Sequence, residues 1–217
     1  MGAALGKKSL AAQSNAPAVS ESSLAAIWST FRNRRSVRKY KPDPIPPEHL
    51  DTIIDMARTA PSSGNQQPWK FLIIQDRKRI DALKDAHIKS RVKEIMGEGS
   101  FKGQKLEEEK KKIAQYYEDY LSAPVNIFVL TDNDSDYPGY NHHDGPLAAG
   151  YLMLAARFLG YGTVYATDSI NPDIARKLFN IPERYDIVCF TPLGIPVRWP
   201  EMPPKKELNE FIVRESF

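Results

Sequence analysis

Residues 60–69 read Ala-Pro-Ser-Ser-Gly-Asn-Gln-Gln-Pro-Trp, and this stretch indicates most clearly how the chain is built. Two prolines bound a run of small polar residues, which is typical of a loop with many hydrogen-bond donors and little bulk. Apolar residues at helical spacing between 50 and 57 predict a helix that begins at Pro47. The apolar run 69–74 predicts a short buried strand. The loop therefore joins a helix to a strand, where it can lie against a flat polar ligand.

A basic segment precedes this loop. Residues 34–38 read Arg-Arg-Ser-Val-Arg and follow a helix with an apolar face over 24–31, which Ser22 or Ser23 is expected to cap. Several guanidinium groups and a hydroxyl can converge there, and such a cluster suits a phosphate. A solvated basic surface is the alternative for such a run taken alone. Nucleic-acid binding is disfavoured, because it would call for interleaved aromatic residues and a second basic patch.

The composition is that of a folded domain with one local excess of charge. The 217 residues are 41% hydrophobic and 26% charged, which excludes disordered and collagen-like classes. Six basic residues lie between Arg32 and Lys41, and removing these six from the total of +3 leaves the rest at −3. This pattern favours a small anionic ligand near that segment. No apolar run reaches the roughly 20 residues that cross a bilayer, so we expect no membrane contact.

The remaining pattern alternates apolar strands with helices. A polar helical region is predicted at 76–121, and an apolar helix at 145–159 should be central and buried. Further strands are predicted at 124–130, 162–167 and 186–195, and a short helix at 171–179. Residues 1–21 are interpreted as a disordered leader or tag, and 22–217 as a single domain. The lone Cys189 has apolar neighbours, which predicts a buried thiol in a reducing compartment, the cytoplasm.

Taken together, segment 34–38 and loop 60–69 resemble the FMN-dependent nitroreductase family, which also includes the iodotyrosine deiodinases. The resemblance continues through Ala123-Pro124-Val125, residues 162–167, Leu193-Gly194-Ile195-Pro196 and residues 205–208, and it covers about residues 24 to 214. It implies an α+β fold, in which a mainly antiparallel sheet is flanked by helices. It also implies that the C-terminal segment, with Phe211 to Val213, extends onto the partner subunit of a homodimer.

The resemblance also implies the cofactor-binding residues. In one subunit the FMN phosphate and ribityl chain would be held by Arg34, Arg35, Ser36 and Arg38. The other subunit would place loop residues against the flavin ring, namely Pro61, Ser62, Ser63, Gly64 and Asn65. The end of the strand beside the ring, where the family directs a backbone N–H toward flavin N5, matches Tyr165, Ala166 and Thr167. Lys205 stands where the family usually has an arginine, and as a single ammonium it would bind phosphate through one contact.

The implied activity is an NAD(P)H oxidoreductase that reduces nitroaromatic or quinone-like electron-poor substrates by ping-pong hydride transfer. Flavin N5 would carry the chemistry, so no catalytic side chain is expected. No metal is expected either, because residues 141–144 (Asn-His-His-Asp) are better explained as polar residues at a helix start. A reductive dehalogenase is an alternative, although the Glu, Tyr and Lys set of deiodinases does not match residues 87–112. A non-catalytic FMN-holding protein is another. Region 76–121 resembles the family's variable active-site cover.

Overall fold

The computed structural model describes residues 19–99 and 101–217, so most of the predicted leader at 1–21 lies outside the described residues. The described chain forms six α-helices and three β-strands, in the order α1 (Glu21–Asn33), α2 (Pro47–Ala57), β1 (Trp69–Ile74), α3 (Arg77–Glu98), α4 (Gly103–Tyr120), β2 (Val125–Asp132), α5 (Asn141–Phe158), α6 (Pro172–Phe179) and β3 (Tyr185–Leu193). Ser20, rather than Ser22 or Ser23, caps α1 by accepting from the Ser23 N–H. The helix therefore begins slightly earlier than its apolar face indicates.

The three strands form one antiparallel sheet in the order β1-β2-β3, which confirms the predicted fold class. Strand β2 is central and its alternate residues serve two cores, as the two-residue period of a strand requires. Ile127 and Val129 pack with residues of α2 and α5. Phe128 and Leu130 pack with residues of α3, α4 and α6. Both faces of the sheet are thus covered by helices.

Helix α5 packs against one face of the sheet, and a glycine permits the approach. A Cβ on Gly145 would lie 2.5 Å from Val188 Cγ2 and 2.8 Å from Thr131 Cγ2, so a larger residue would push the helix off β2 and β3. The prediction of a central helix is confirmed for this side. The opposite side is different, because Leu147, Tyr151 and Phe158 are exposed. The helix therefore presents an apolar surface that residues 19–99 and 101–217 leave exposed.

Segment 162–167 differs from the predicted strand. It pairs with β3 and the residue after it only at isolated bridges, Gly162 with Gly194 and Ala166 with Phe190, and on its other side Thr163 bridges Ser36. Since the segment lies between the end of β3 and the basic segment, it cannot follow one partner for its whole length. Its role is to join the basic segment to the sheet.

Helix α1 lies outside the main body, and its predicted apolar face is exposed at Leu24, Ile27, Trp28 and Phe31. Its contacts with the rest of the chain are mainly with α5. Among the helices of residues 19–99 and 101–217, none is long and apolar enough to cross a membrane.

Candidate functional site

The basic segment and the C-terminal segment meet around one cavity of about 820 Å³. Its lining includes the predicted cofactor residues Arg34, Arg35, Ser36 and Arg38 from the basic segment, and Lys205 from the C-terminal segment. Arg32 adds a further cation, whereas Glu201 is the one acidic residue in the lining. Residues about 170 positions apart in sequence therefore line the same cavity. The charge balance of the cavity favours an anionic ligand.

The local fold explains why these side chains converge. Helix α1 ends at Asn33, where the Arg34 N–H still donates to Thr30 O at 3.1 Å. The chain then becomes extended and is fixed by two backbone hydrogen bonds, from Val37 N to Thr163 O (2.9 Å) and from Lys41 N to Ile195 O (2.8 Å). The Val37 side chain is buried by this arrangement. The flanking polar residues, Ser36 and Arg38, are left at the cavity.

The arginines differ in what they already bind. The Arg35 Nη1 donates to the carbonyl oxygens of Arg32 (2.6 Å) and Arg34 (2.7 Å), and its Nε–H is buried without a partner. Arg38 makes one long contact, 3.4 Å, to Ser36 O. Among the described residues, the side chains of Arg34 and Lys205 make no hydrogen bond or ion pair. Arg34, Arg38 and Lys205 are therefore the cations most available to a ligand.

The predicted loop 61–65 lies elsewhere in the same chain. Its Ser63 backbone N–H and hydroxyl donate to the carboxylate of Asp144, and Gln66 Nε2 donates to the same carboxylate at 2.7 Å. Gly64 has φ +56°, and a Cβ there would lie 2.5 Å from the Tyr137 ring, so the turn requires glycine. None of residues 61–65 lines the cavities that hold the basic segment. The structure of one chain thus does not bring the loop to the arginines.

Residues 165–167 divide into three different environments. The Ala166 N–H donates to Phe190 O at 3.1 Å, and Phe190 N donates back to Ala166 O at 2.8 Å, so the Ala166 backbone is occupied. Tyr165 is partly exposed. Thr167 lines a second cavity, of about 700 Å³, together with Arg38. Within the described chain the Thr167 N–H has no backbone partner, so of the three predicted residues Thr167 is best placed to meet a ligand.

The second cavity lies between the cover helices α3 and α4 and the segment 167–172, and it adds residues that the sequence alone did not single out. Tyr116 and Tyr117 form an aromatic wall, while Arg91 and Glu94 place opposite charges 2.5 Å apart. His87 is buried there, with Nδ1 2.8 Å from Leu83 O and Nε2 accepting from the Asn171 N–H at 2.8 Å. Burial lowers the pKa of His87, so its ring is neutral at pH 7 and fixes the start of α6.

Comparison with known proteins shows which family has this fold. Residues 31–195 match the model of the nitroreductase family, which covers more than half of the chain. The chain belongs to the nitroreductase family. The matched region includes the basic segment, loop 61–65 and both cover helices, but not Lys205.

The individual relatives of this nitroreductase-family chain are named either as iodotyrosine deiodinases or as NAD(P)H nitroreductases. An iodotyrosine deiodinase of Thermotoga neapolitana is 30% identical over 202 residues, covering 87% of this chain and 96% of the relative. A protein of Methanothermobacter thermautotrophicus, provisionally named an NADH dehydrogenase/NAD(P)H nitroreductase, is 27% identical over 180 residues, covering 80% and 79%. A solved iodotyrosine deiodinase bound to FMN and 3-iodo-L-tyrosine superimposes with a TM-score of 0.69 at 27% identity, covering 88% of this chain and 99% of that chain.

The donor set of the first cavity fits a flavin mononucleotide. A phosphate monoester needs charged donors that are free of other anions, and Arg34, Arg38 and Lys205 meet this condition. The two cavities also share Arg38, so a ligand that is anionic at one end and planar at the other can extend from the first to the second.

Proposed function

We propose that this protein is an FMN-dependent oxidoreductase that takes hydride from NAD(P)H and passes it to an electron-poor nitroaromatic or quinone. The observation that carries the proposal is the convergence of Arg34, Arg38 and Lys205, free of anionic partners in the described chain, on one cavity that adjoins a second, aromatic-walled cavity. Family membership agrees with it. FMN, when bound, supplies reversible hydride transfer at N5, and its nucleotide-like phosphate end matches the cations.

The chain's own residues bind and orient the cofactor in this proposal. Arg34 makes paired charge-assisted hydrogen bonds to the phosphate, Lys205 adds a positive charge from the C-terminal segment, and Ser36 adds a neutral donor. Arg38 lies at the junction of the two cavities and holds the more distant polar groups. The Thr167 backbone N–H donates to the planar end. Because the Ala166 N–H is bonded to Phe190, it takes no part.

The cover helices provide the substrate site. Tyr116 and Tyr117 offer a surface for an aromatic ring, and the neutral His87 holds segment 167–171 in place by accepting from Asn171. In this proposal the flavin carries the hydride chemistry, and no side chain of the protein exchanges protons with the substrate in that step. NAD(P)H and the substrate use the same cavity in turn, which gives ping-pong kinetics.

We further propose a homodimer in which the partner subunit completes each site. Loop residues 61–65 lie away from the arginines of their own chain, so they serve the cofactor of the other subunit. The apolar groove between α1, α2 and α5, of about 480 Å³ and lined by Ile27, Phe31, Met56 and Phe158 among others, is the surface that would meet the partner. Exposed Leu208, Phe211, Ile212 and Val213 give the C-terminal segment an apolar edge that can extend onto that partner.

We place the protein in the cytoplasm. Cys189 is buried, and burial raises the pKa of its thiol to about 12, so this cysteine is an unreactive core residue. A fold that uses its cysteine only for packing is suited to a reducing compartment.

Reductive dehalogenation is the second candidate, and the deiodinase relatives favour it specifically. The Thermotoga neapolitana deiodinase matches over 96% of its own length. At the cover cavity, Arg91 and Glu94 offer a carboxylate-binding and an ammonium-binding group side by side, which suits a zwitterionic amino acid with an aromatic side chain. These residues differ from the Glu, Tyr and Lys set that deiodinases use.

A steady-state assay of NADH and NADPH oxidation separates the candidates. The FMN-loaded protein is given a nitroaromatic, a quinone and 3-iodo-L-tyrosine in parallel. Faster turnover with the nitroaromatic or quinone supports the proposed activity, and iodide release supports dehalogenation. Bound FMN without NAD(P)H oxidation in any arm contradicts both and leaves an FMN-holding protein.

A further inference from the structure

The C-terminal segment lines the first cavity although few contacts join it to the rest of the protein. Residues 200–205 all belong to the lining. Just before them, the Val197 N–H donates to Lys39 O at 3.1 Å and fixes the chain beside the basic segment. Residues 198–217 are exposed, and no hydrogen bond or ion pair connects them to the other described residues. The position of this lining therefore depends on another kind of contact.

That contact is made by the ring of Trp199. The guanidinium carbon of Arg157 lies 4.0 Å from the centroid of the ring, which is a close cation–π distance. Arg157 belongs to the last turn of α5, the helix that packs on the sheet. Tryptophan offers the most favourable ring for such a contact, and arginine is its more frequent partner. The stack therefore joins the start of the C-terminal segment to a rigid part of the fold.

Prolines carry the effect of this stack along the segment. Pro200 follows Trp199 directly, and Pro203 and Pro204 precede Lys205. A proline fixes its own φ and also disfavours helical backbone in the residue before it, so most residues between Trp199 and Lys205 have few conformations available. The direction that the chain takes at Trp199 therefore determines where Lys205 lies.

Arg157 also lies close to the basic lining of the cavity. Burial lowers the pKa of Arg157, and the charge of Arg35 lowers it further. Both guanidinium groups remain charged at pH 7. Arg35 lines the first cavity, so an anion bound there offsets the repulsion between the two arginines. The platform on which Trp199 packs is thus stabilised by an occupied cavity.

We propose that Trp199 is a cofactor-positioning residue, which holds residues 200–205 at the cavity by stacking on Arg157 and thereby brings Lys205 to the phosphate of FMN. The inference rests on the proposed function, because it takes FMN as the ligand of the first cavity. Trp199 is not itself part of the cavity lining. It acts through Lys205.

Trp199→Ala tests the proposal, because Trp199 is 38% exposed and its loss removes the stack without opening the core. The FMN dissociation constant should rise about three- to tenfold, as expected for loss of a cation–π contact that is partly shielded from water. Trp199→Phe keeps an aromatic face for Arg157 and should retain most of the affinity. Titration of the apoprotein with FMN, followed by flavin fluorescence, measures the dissociation constants. The thermal midpoint of the apoprotein should change little in either variant.

A double variant with Lys205→Ala separates positioning of Lys205 from an independent effect. If Trp199 acts by placing Lys205, removing both side chains should weaken FMN binding about as much as Lys205→Ala alone. Losses that multiply in the double variant would overturn the proposal. An unchanged FMN affinity in Trp199→Ala, or a Trp199→Phe variant that is equally weak, would also overturn it. Absence of FMN binding in the wild type would instead overturn the proposed function.

Discussion

The carboxylate of Asp144 accepts from both the backbone N–H (3.1 Å) and the hydroxyl (3.2 Å) of Ser63, and so joins the first turn of α5 to the polar loop 81 residues earlier. Asp144 is 2% exposed, and Gln66 adds a third donor at 2.7 Å. A buried carboxylate is tolerated only when it is bonded in this way. The shape of the loop therefore depends on a residue outside it.

Asp144→Asn should destabilise the protein. The amide loses the charge, and its NH₂ group faces at least one of the three donors, so we expect the free energy of unfolding to fall by about 2–4 kcal/mol. Urea denaturation of the apoprotein measures this change. Asp134→Asn, at a 66% exposed carboxylate paired with Arg184, is the control and should cost less than about 1 kcal/mol. Equal losses in the two variants would contradict the assigned role of Asp144.

Arg34→Ala should weaken FMN binding more than Lys205→Ala. A free guanidinium makes two parallel charge-assisted bonds to a phosphate, whereas an ammonium acts as a point charge, so loss of Arg34 should cost about tenfold or more in affinity. Arg35→Ala belongs in the same titration, because Arg35 already donates to two carbonyls at the end of α1 and should affect affinity less. Equal affinities in all three variants would indicate a solvated basic surface. A loss confined to Lys205→Ala would place the phosphate at the C-terminal segment instead of the basic segment.

Phe158→Asp should separate the subunits. Phe158 is 58% exposed and lines the apolar groove, so a charge there opposes burial against a partner without disturbing the core. Light scattering should give the mass of a dimer for the wild type and about 24.5 kDa for the variant. FMN affinity should fall with it, since each loop 61–65 is proposed to serve the other subunit. Met96→Asp, at a 54% exposed methionine on α3, should remain dimeric. A wild-type monomer that retains FMN would contradict the shared site.

Acidification should destabilise the fold through His87. Burial lowers its pKa below the ordinary value, so the unfolded chain binds the proton more readily than the folded chain. The contribution to stability is complete above the unfolded pKa of about 6.5 and is lost as the pH falls below it. Urea denaturation at pH 7.5 and pH 5.5 should show a larger loss for the wild type than for His87→Gln. An equal loss would assign the pH dependence to other groups.

Local patterns predicted much of the fold. Strand β1 occupies residues 69–74 as expected. The apolar run that lies between Pro68 and the helix cap Asp76 is too short for a helix and therefore predicts a strand. The start of α5 at Asn141 was placed four residues too late, since Pro146 and two histidines obscure the first turn. Segment 162–167 has the composition of a strand. Its pairing, however, depends on the positions of the basic segment and of the end of β3. The sequence does not contain that information locally.

Residues of the candidate site can be proposed from the sequence where they are contiguous, and not where they are assembled from distant segments. The basic segment was proposed as an anion site because its charged residues are adjacent in sequence. Lys205 was proposed because it stands where the family usually has an arginine. Asp144 was interpreted only as a polar helix start, because its partner lies 81 residues away. The exposed face of α1 shows a related limit, since an amphipathic pattern indicates that a face becomes buried but not which chain buries it.

Anaerobic mixing of FMN-loaded protein with NADPH or NADH tests the central claim most directly, with the visible flavin absorbance as the signal. The purified protein should carry FMN, the absorbance should be lost with at least one of the two nucleotides, and later addition of a nitroaromatic or quinone should restore it. Two separable half-reactions of this kind are what ping-pong hydride transfer requires. A protein that binds no FMN, or whose bound FMN keeps its absorbance with both nucleotides, would contradict the account.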